Sequence, residues 1–264
     1  MKSKLALAGL LLAGMFSQAH AADIARPVYK SAPAMVPVWS WTGWYVGLNA
    51  GYGFANDNTI TTTGQIAINA ATVADGARPA SVGIRPEGFI GGAQIGYNWQ
   101  TGMWVWGIEA DIQYTDLKET VNAVTIGTAF PGTRNNVFTQ ELEFLGTLRA
   151  RVGYTWNRTL LYATGGLAYG GVNHSANFSG PLPAGVLQFT GRTRDVEFGY
   201  AVGAGIEHAF TPNWTLRGEY LYYDLGDTVV AVNVIPGSGG VGTGYNSRFE
   251  NTGHIVRGGV NYKF

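Results

Sequence analysis

The stretch MWVWGIEADIQYTD, residues 103–116, alternates with a period of two. Trp104, Trp106, Ile108, Ala110, Ile112 and Tyr114 fall on one face, and Glu109, Asp111 and Gln113 on the other. That period belongs to a β-strand with one apolar and one polar side. The constraint lies in what the two faces carry. One has two tryptophans and the other two neighbouring acids, so the side that looks inward decides what kind of sheet this is.

The pattern recurs along the chain. It is seen in WYVGLNAGYGF (44–54), GFIGGAQIGYNW (88–99), LEFLGTLRARVGYTW (142–156), VEFGYAVGAGIEHAF (196–210), WTLRGEYLYYDL (214–225) and HIVRGGVNYKF (254–264). In 142–156 it sets Leu142, Phe144, Leu148, Ala150 and Val152 against Glu143, Thr147, Arg149 and Arg151. TLLYATGGLAYGGV (159–172) is a weaker strand whose parity stays open. With the first stretch this predicts eight strands. QTG (100–102), NR (157–158) and TPN (211–213) read as hairpin turns, while 55–86, 116–138, 173–194 and 226–250 read as long loops rich in Gly, Thr, Asn and Pro. Long loops on one rim and short turns on the other predict an all-β, up-and-down antiparallel barrel with an even strand number.

A soluble lipocalin-type barrel would bury the apolar face. Composition and placement argue for the reverse. Charged residues are only 13% of the chain, about half the roughly 25% usual in soluble proteins. The largest rings of the apolar face sit at strand ends. Trp44, Trp99, Trp104, Trp106, Trp156, Trp214, Tyr262 and Phe264 gather at the short-turn rim. Tyr52, Phe54, Phe89, Tyr114, Phe144, Phe198, Tyr220 and Tyr222 gather at the other. Two aromatic girdles around an aliphatic band match a bilayer and its interfaces, and so many rings would overfill an eight-stranded lumen.

The polar face then becomes the lumen, where Gly47, Gly51, Gly107, Gly153, Gly199, Gly203 and Gly205 leave room for long side chains. Counted up from the short turns, Glu109 matches Arg151 in height and Asp111 matches Arg149; Glu207, Arg217, Glu219 and Arg257 fall in the same layer. Four acids and four arginines balance, as buried charges must.

The start, MKSKLALAGLLLAGMFSQAHA, reads as a signal peptide cleaved after Ala21. Residues 22–42, with Pro27, Pro33 and Pro37, read as an extended periplasmic linker without a core of its own, and 43–264 as the barrel domain. The formal net charge is zero, which implies no nucleic-acid partner. Cysteine is absent, which excludes disulfides and cysteine metal sites. The chemistry-bearing residues are few. His174 falls in the third long loop with Tyr169 and Phe178 nearby, the one arrangement suggesting a haem contact. His208 and His254 take the lipid-facing parity, and Glu141, Glu143, Asp195 and Glu197 near the outer mouth have no inward histidine beside them. No catalytic, metal or cofactor site is assigned.

The segment WSWTGWYVGLNAGYGF, then LLYATGGLAYG, NWTLRGEYLYYDLG and the ending GGVNYKF together resemble the alphaproteobacterial outer-membrane immunogenic proteins, a branch of the OmpA-like eight-stranded barrels. The resemblance runs from the signal to Phe264. It implies a structural integral protein of the Gram-negative outer membrane, set among lipids and lipopolysaccharide. Its loops would be exposed to host molecules or ligands, with haem binding linked to some members; a haem- or small-ligand-binding protein or a narrow porin-like channel of the outer membrane is the alternative. The last strand, with Tyr262 and Phe264 on its apolar face, also resembles the signal read by outer-membrane assembly machinery.

Overall fold

A computed structural model describes residues 39–55, 57–181 and 185–264. The expected signal peptide and most of the linker lie outside the described residues. Trp39–Phe264 is one compact unit.

The elements run β1 (Gly43–Phe54), β2 (Asn58–Gly64), α1 (Ala67–Ala74), β3 (Ser81–Ile84), β4 (Glu87–Thr101), β5 (Trp104–Ile126), β6 (Thr133–Trp156), β7 (Thr159–Ser179), β8 (Leu187–Ala209), β9 (Trp214–Val234) and β10 (Gly244–Lys263). Eight of them form the ring β1-β4-β5-β6-β7-β8-β9-β10, in which β1 closes antiparallel on β10 from Tyr45↔Lys263 to Phe54↔His254. Closure pairs both edges, which a strand in hydrocarbon requires because no water is there to satisfy its amides. The three short turns fall where expected. Asn157 takes a φ of 55° in one of them and Gly102 a φ of 62° in another, left-handed conformations that Asn and Gly tolerate best.

The long loops are not loops for most of their length. β5 continues to Ile126, β6 starts at Thr133, β7 continues to Ser179 and β10 starts at Gly244. The barrel wall therefore rises well past the outer aromatic girdle. Above that girdle the apolar face changes sides. In β7, Leu161 and Leu167 face outward, whereas higher up Val172, Ala176 and Phe178 are buried inside and Asn173, Ser175 and Asn177 face out. The parity left open for this strand is settled: Leu160, Tyr162 and Thr164 point inward. A bulge between Leu142 and Phe144 in β6 shifts the alternation by one residue. It turns Leu142 inward at 7% exposure, against its expected place on the lipid face.

The first long connection also carries structure. β1 and β4 end at the outer girdle, and above them β2 and β3 take their place in the wall. β2 pairs with the top of β10 from Gly64↔Tyr245 to Ile60↔Phe249, and β3 pairs with β2. The sheet order ends at β3, with no ladder joining it to β5.

Candidate functional site

The interior is filled in storeys. At the short-turn mouth, Trp41 is 1% exposed and packs with Val105, Leu160 and Tyr162. Its indole Nε1 donates to Thr155 Oγ1 at 2.8 Å. Trp39 meets it edge-on at 5.5 Å. The end of the expected linker is thus part of the barrel and closes its mouth, because a tryptophan pair buries more surface there than an extended tether would.

The charged layer lies next. All eight expected residues are buried. Arg149 reaches Glu109 at 2.7 Å, Asp111 at 2.9 Å and Glu219 at 3.2 Å. Arg217 bonds Glu109 at 2.5 Å and Glu219 at 3.3 Å; Arg257 bonds Glu219 at 2.5 Å and Asp111 at 3.1 Å. Arg151 bonds Glu207 at 3.0 Å. The expected pairing of Glu109 with Arg151 is displaced. The strands are sheared, so Glu109 lies opposite Arg149, and Arg151 stands 3.9 Å from Glu109. Asp111 does meet Arg149, but as one of three carboxylates on the same guanidinium.

Residues not singled out from sequence complete the layer. Tyr45 donates to Glu109 at 2.6 Å and Tyr162 to Glu219 at 3.0 Å, and the Arg151 guanidinium lies between their two rings at 4.9 and 5.1 Å. Asn98 accepts from Arg151, Thr147 donates to Asp111, and Asn261 donates to Glu207. Two glycines make space for the tyrosines: a Cβ at Gly96 would stand 2.2 Å from the Tyr45 hydroxyl, and one at Gly205 2.5 Å from that of Tyr162. Tyr45 shares its parity with Gly47 and Asn49, which was a readable signal. Tyr162 sits in the strand of open parity and had none.

An apolar storey follows, with Ile90, Leu117, Leu142, Leu145, Ala168 and Leu221 among its members. Above it comes a polar one, where Gln140 Nε2 donates to the Glu250 carbonyl oxygen at 2.8 Å and to Asn251 at 3.2 Å. Higher still is an aromatic storey containing Phe138, Phe178, Phe189, Tyr245 and Phe249.

His174 is not a loop histidine. It lies within β7, fully buried, with its ring 4.7 Å from that of Phe249, and neither ring nitrogen has a hydrogen-bond partner. Burial pushes its pKa from 6.5 down to about 4, with Asn251 opposing the shift. An imidazole enclosed in this way does not fit a haem iron approaching from outside. His254 lies among the aromatics of the outer girdle, its Nδ1 2.6 Å from the Tyr220 hydroxyl, and His208 Nδ1 is 2.9 Å from Thr159 Oγ1.

The outer surface carries the girdles. Trp44, Trp99, Trp104, Trp106, Trp156, Trp214 and Phe264 are exposed at the short-turn rim, with Tyr262 half-buried beside them. Trp214 packs against Tyr262 at 5.1 Å and Tyr262 against Phe264 at 5.2 Å. Phe264 N–H donates to the Trp44 carbonyl oxygen at 3.1 Å, tying the last residue to the first strand.

A closed ring with rings of Trp and Tyr outside and paired ions inside is built for a membrane. Comparison with known proteins agrees: a family model described as an outer membrane protein beta-barrel domain matches residues 8–264. The chain belongs to that family. This outer-membrane barrel is 35% identical to the 31 kDa outer-membrane immunogenic protein of Brucella melitensis over 96% of this chain and 97% of the relative. It is 28% identical to the 25 kDa outer-membrane immunogenic protein of Brucella canis over 86% of this chain and 90% of the relative. Among solved structures, the outer membrane protein OprG of Pseudomonas aeruginosa matches at 13% identity and a TM-score of 0.49, covering 86% of this chain and 98% of that one. The protein is an integral component of a Gram-negative outer membrane, with its short turns toward the periplasm and its wall extension outside.

Proposed function

We propose that this barrel is a sealed structural anchor that holds a β-walled platform above the outer leaflet for contacts at the cell surface. The carrying observation is the stacking inside the ring. A tryptophan cap, a charge-balanced layer and two packed storeys succeed one another, and this favours an anchor over a narrow channel. Three of the four outer-mouth acids have structural partners: Glu141 holds Lys118 at 3.3 Å, Glu143 holds Arg194 at 2.6 Å and Glu197 accepts from Thr228 at 3.0 Å. These ties support a non-catalytic reading.

Outside the wall, Lys118, Glu141, Asn173 and Arg192 line a polar groove of about 300 Å³. It rises from the girdle at the height where lipopolysaccharide headgroups would meet it, and the loop tips above are the surfaces offered to host molecules or ligands. Purified protein in planar bilayers is the test: an anchor is electrically silent, and steady unitary current steps from the unmodified protein would overturn the reading.

A further inference from the structure

Most cations on the outward face of the extension already hold an acid. Arg85 holds Asp57, Lys118 holds Glu141, Arg194 holds Glu143 and Arg248 holds Asp227. Arg134 donates to the carbonyl oxygens of Phe130 and Gly132 in its own turn. Arg192 differs. It is exposed, its Nε donates to Asn173 Oδ1 at 3.0 Å, and its two terminal nitrogens meet no acceptor among the described residues. A guanidinium restrained at Nε keeps an outer fork free, the geometry that takes a phosphate or carboxylate through two parallel bonds.

That fork overlooks a track across the membrane boundary, where β6, β7 and β8 run in register. Phe144, Gly171 and Val196 form one row, Glu141, Asn173 and Arg194 the next, and Ser175 lies opposite Arg192 above both. The lowest row lines a groove of about 450 Å³ with Glu143, Arg194 and Asp195. Gly171 opens it, because a Cβ there would stand 2.4 Å from the Phe144 ring. The polar groove of about 300 Å³ continues it upward, where Ser175, Asn177 and Thr190 join Asn173 and Arg192. From bottom to top the track is apolar, then holds paired ions, then offers hydroxyls and amides with one free guanidinium. Glu141 and Glu143 are neutralised by their partners and Asp195 lies in the lower groove, so an anion is favoured above, at Arg192. Height selects the headgroup. Arg192 lies four residues up β8 from Val196, the outward apolar residue next above Phe198 of the girdle. At about 3.3 Å per residue this is about 13 Å of strand, or roughly 10 Å of height at the usual barrel tilt. A phospholipid headgroup zone is about 5–7 Å deep. Its phosphate falls short of Arg192, whereas a phosphorylated or acidic saccharide head reaches it.

We propose that this track binds one lipopolysaccharide molecule. Arg192 holds a phosphate or acidic-sugar carboxylate of the saccharide head, Asn173, Ser175, Asn177 and Thr190 meet sugar hydroxyls, and the notch at Phe144, Gly171 and Val196 receives an acyl chain. The site rests on the reading of the barrel as a surface anchor and gives it a fixed lipid partner. The surface presented on the β6–β8 side is then protein and saccharide together.

The full chain, refolded in detergent free of lipopolysaccharide, is titrated with core-only lipopolysaccharide, and bound copies are counted by native mass spectrometry. The unmodified protein retains one copy, and phosphatidylglycerol competes poorly for it. Arg192→Ala weakens binding about fivefold, the scale of one basic side chain at an anionic lipid surface. Arg158→Ala, at an exposed position in a periplasmic turn, leaves it unchanged. A second arm uses cells and keeps Arg192, so a folding defect at that position does not shield the proposal. A photoreactive residue at Ser175 crosslinks to lipopolysaccharide. One at Asn246 gives only background, although it stands at a similar height on β10: it pairs with Ala231, whose carbonyl lies against Gly191. Equal losses at residues 192 and 158, full competition by phosphatidylglycerol, or equal crosslinking at 175 and 246 would each overturn the site. None of these outcomes alters the conductance test, so the anchor and the lipid site can fail separately.

Discussion

Replacing Arg149 with Ala tests the charged layer at its most connected point. The guanidinium is fully buried and serves Glu109, Asp111 and Glu219 together. Without it the layer holds four acids against three arginines, all inside the ring. Breaking a buried pair by removing one partner costs about 3–5 kcal/mol. Here each carboxylate keeps a second cation: Arg217 for Glu109, Arg257 for Asp111, and both for Glu219. That places the loss near the lower end, about 3 kcal/mol. With a urea dependence of roughly 1–3 kcal/mol per molar, the midpoint falls by roughly 1–3 M. The assay is the heat-modifiable gel shift of protein refolded in lipid, titrated with urea. Adding Asp111→Asn restores neutrality at nearly constant volume and is expected to recover much of the loss. A midpoint unmoved by Arg149→Ala would mean the layer is wet and screened. A double variant weaker than the single one would refute charge balance as the cause.

Leu48 is 70% exposed on the lipid face, so Leu48→Arg is expected to cost about 2–4 kcal/mol near the midplane, while Trp44→Arg at the rim costs about 0–1; equal losses in lipid refolding would contradict the assigned membrane position. His174 titrates at about 4 when folded and at 6.5 when its segment opens. The open form therefore binds more protons between those values, and the stability of the extension is complete above pH 6.5 and falls by about 3 kcal/mol as pH drops to 4. Hydrogen exchange of β7 and β10 measured from pH 7 to 4 should show that loss, and His174→Asn should flatten it; a pH-independent wild type sinks the assignment. Deleting Phe264 should lower insertion in cells while the refolded protein keeps its heat-modifiable band, and normal insertion at native expression would leave Phe264 only its packing role.

The membrane ring was legible because a bilayer imposes one rule on every strand. Apolar side chains go out, rings collect at the interfaces, and ions must balance inside, so Trp104 and Glu109 declare their faces without further help. The extension was illegible for the same reason in reverse. Once β7 leaves the lipid, the outward residues become Asn173, Ser175 and Asn177 and the inward ones Val172, Ala176 and Phe178. A reader following a single apolar parity sees the pattern dissolve into polar residues and infers a loop. Bulges compound this, since the slip at Leu142/Phe144 moves Leu142 to the other face. His174 was misplaced as a consequence. The charged layer could be listed but only partly paired: Asp111 meets Arg149 as expected, while shear between β5 and β6, which is set by backbone closure and which no side chain announces, puts Arg149 rather than Arg151 opposite Glu109.

The distribution of the charged layer's eight residues among strands bears on how the barrel is made. The β5–β6 hairpin carries Glu109 and Asp111 on one arm and Arg149 and Arg151 on the other. β8 brings Glu207, β9 brings Arg217 with Glu219, and β10 brings Arg257. Laid down in chain order, the growing sheet is neutral after β6, holds one negative charge through β8 and β9, and is neutral again when β10 arrives. Laid down from the C-terminal end, it holds one positive charge until β8 cancels it, and the remaining hairpin is self-neutral. The arginines and acids are thus apportioned so that a nascent sheet, grown by hairpins from either terminus, never has more than one unmatched ion to carry into hydrocarbon.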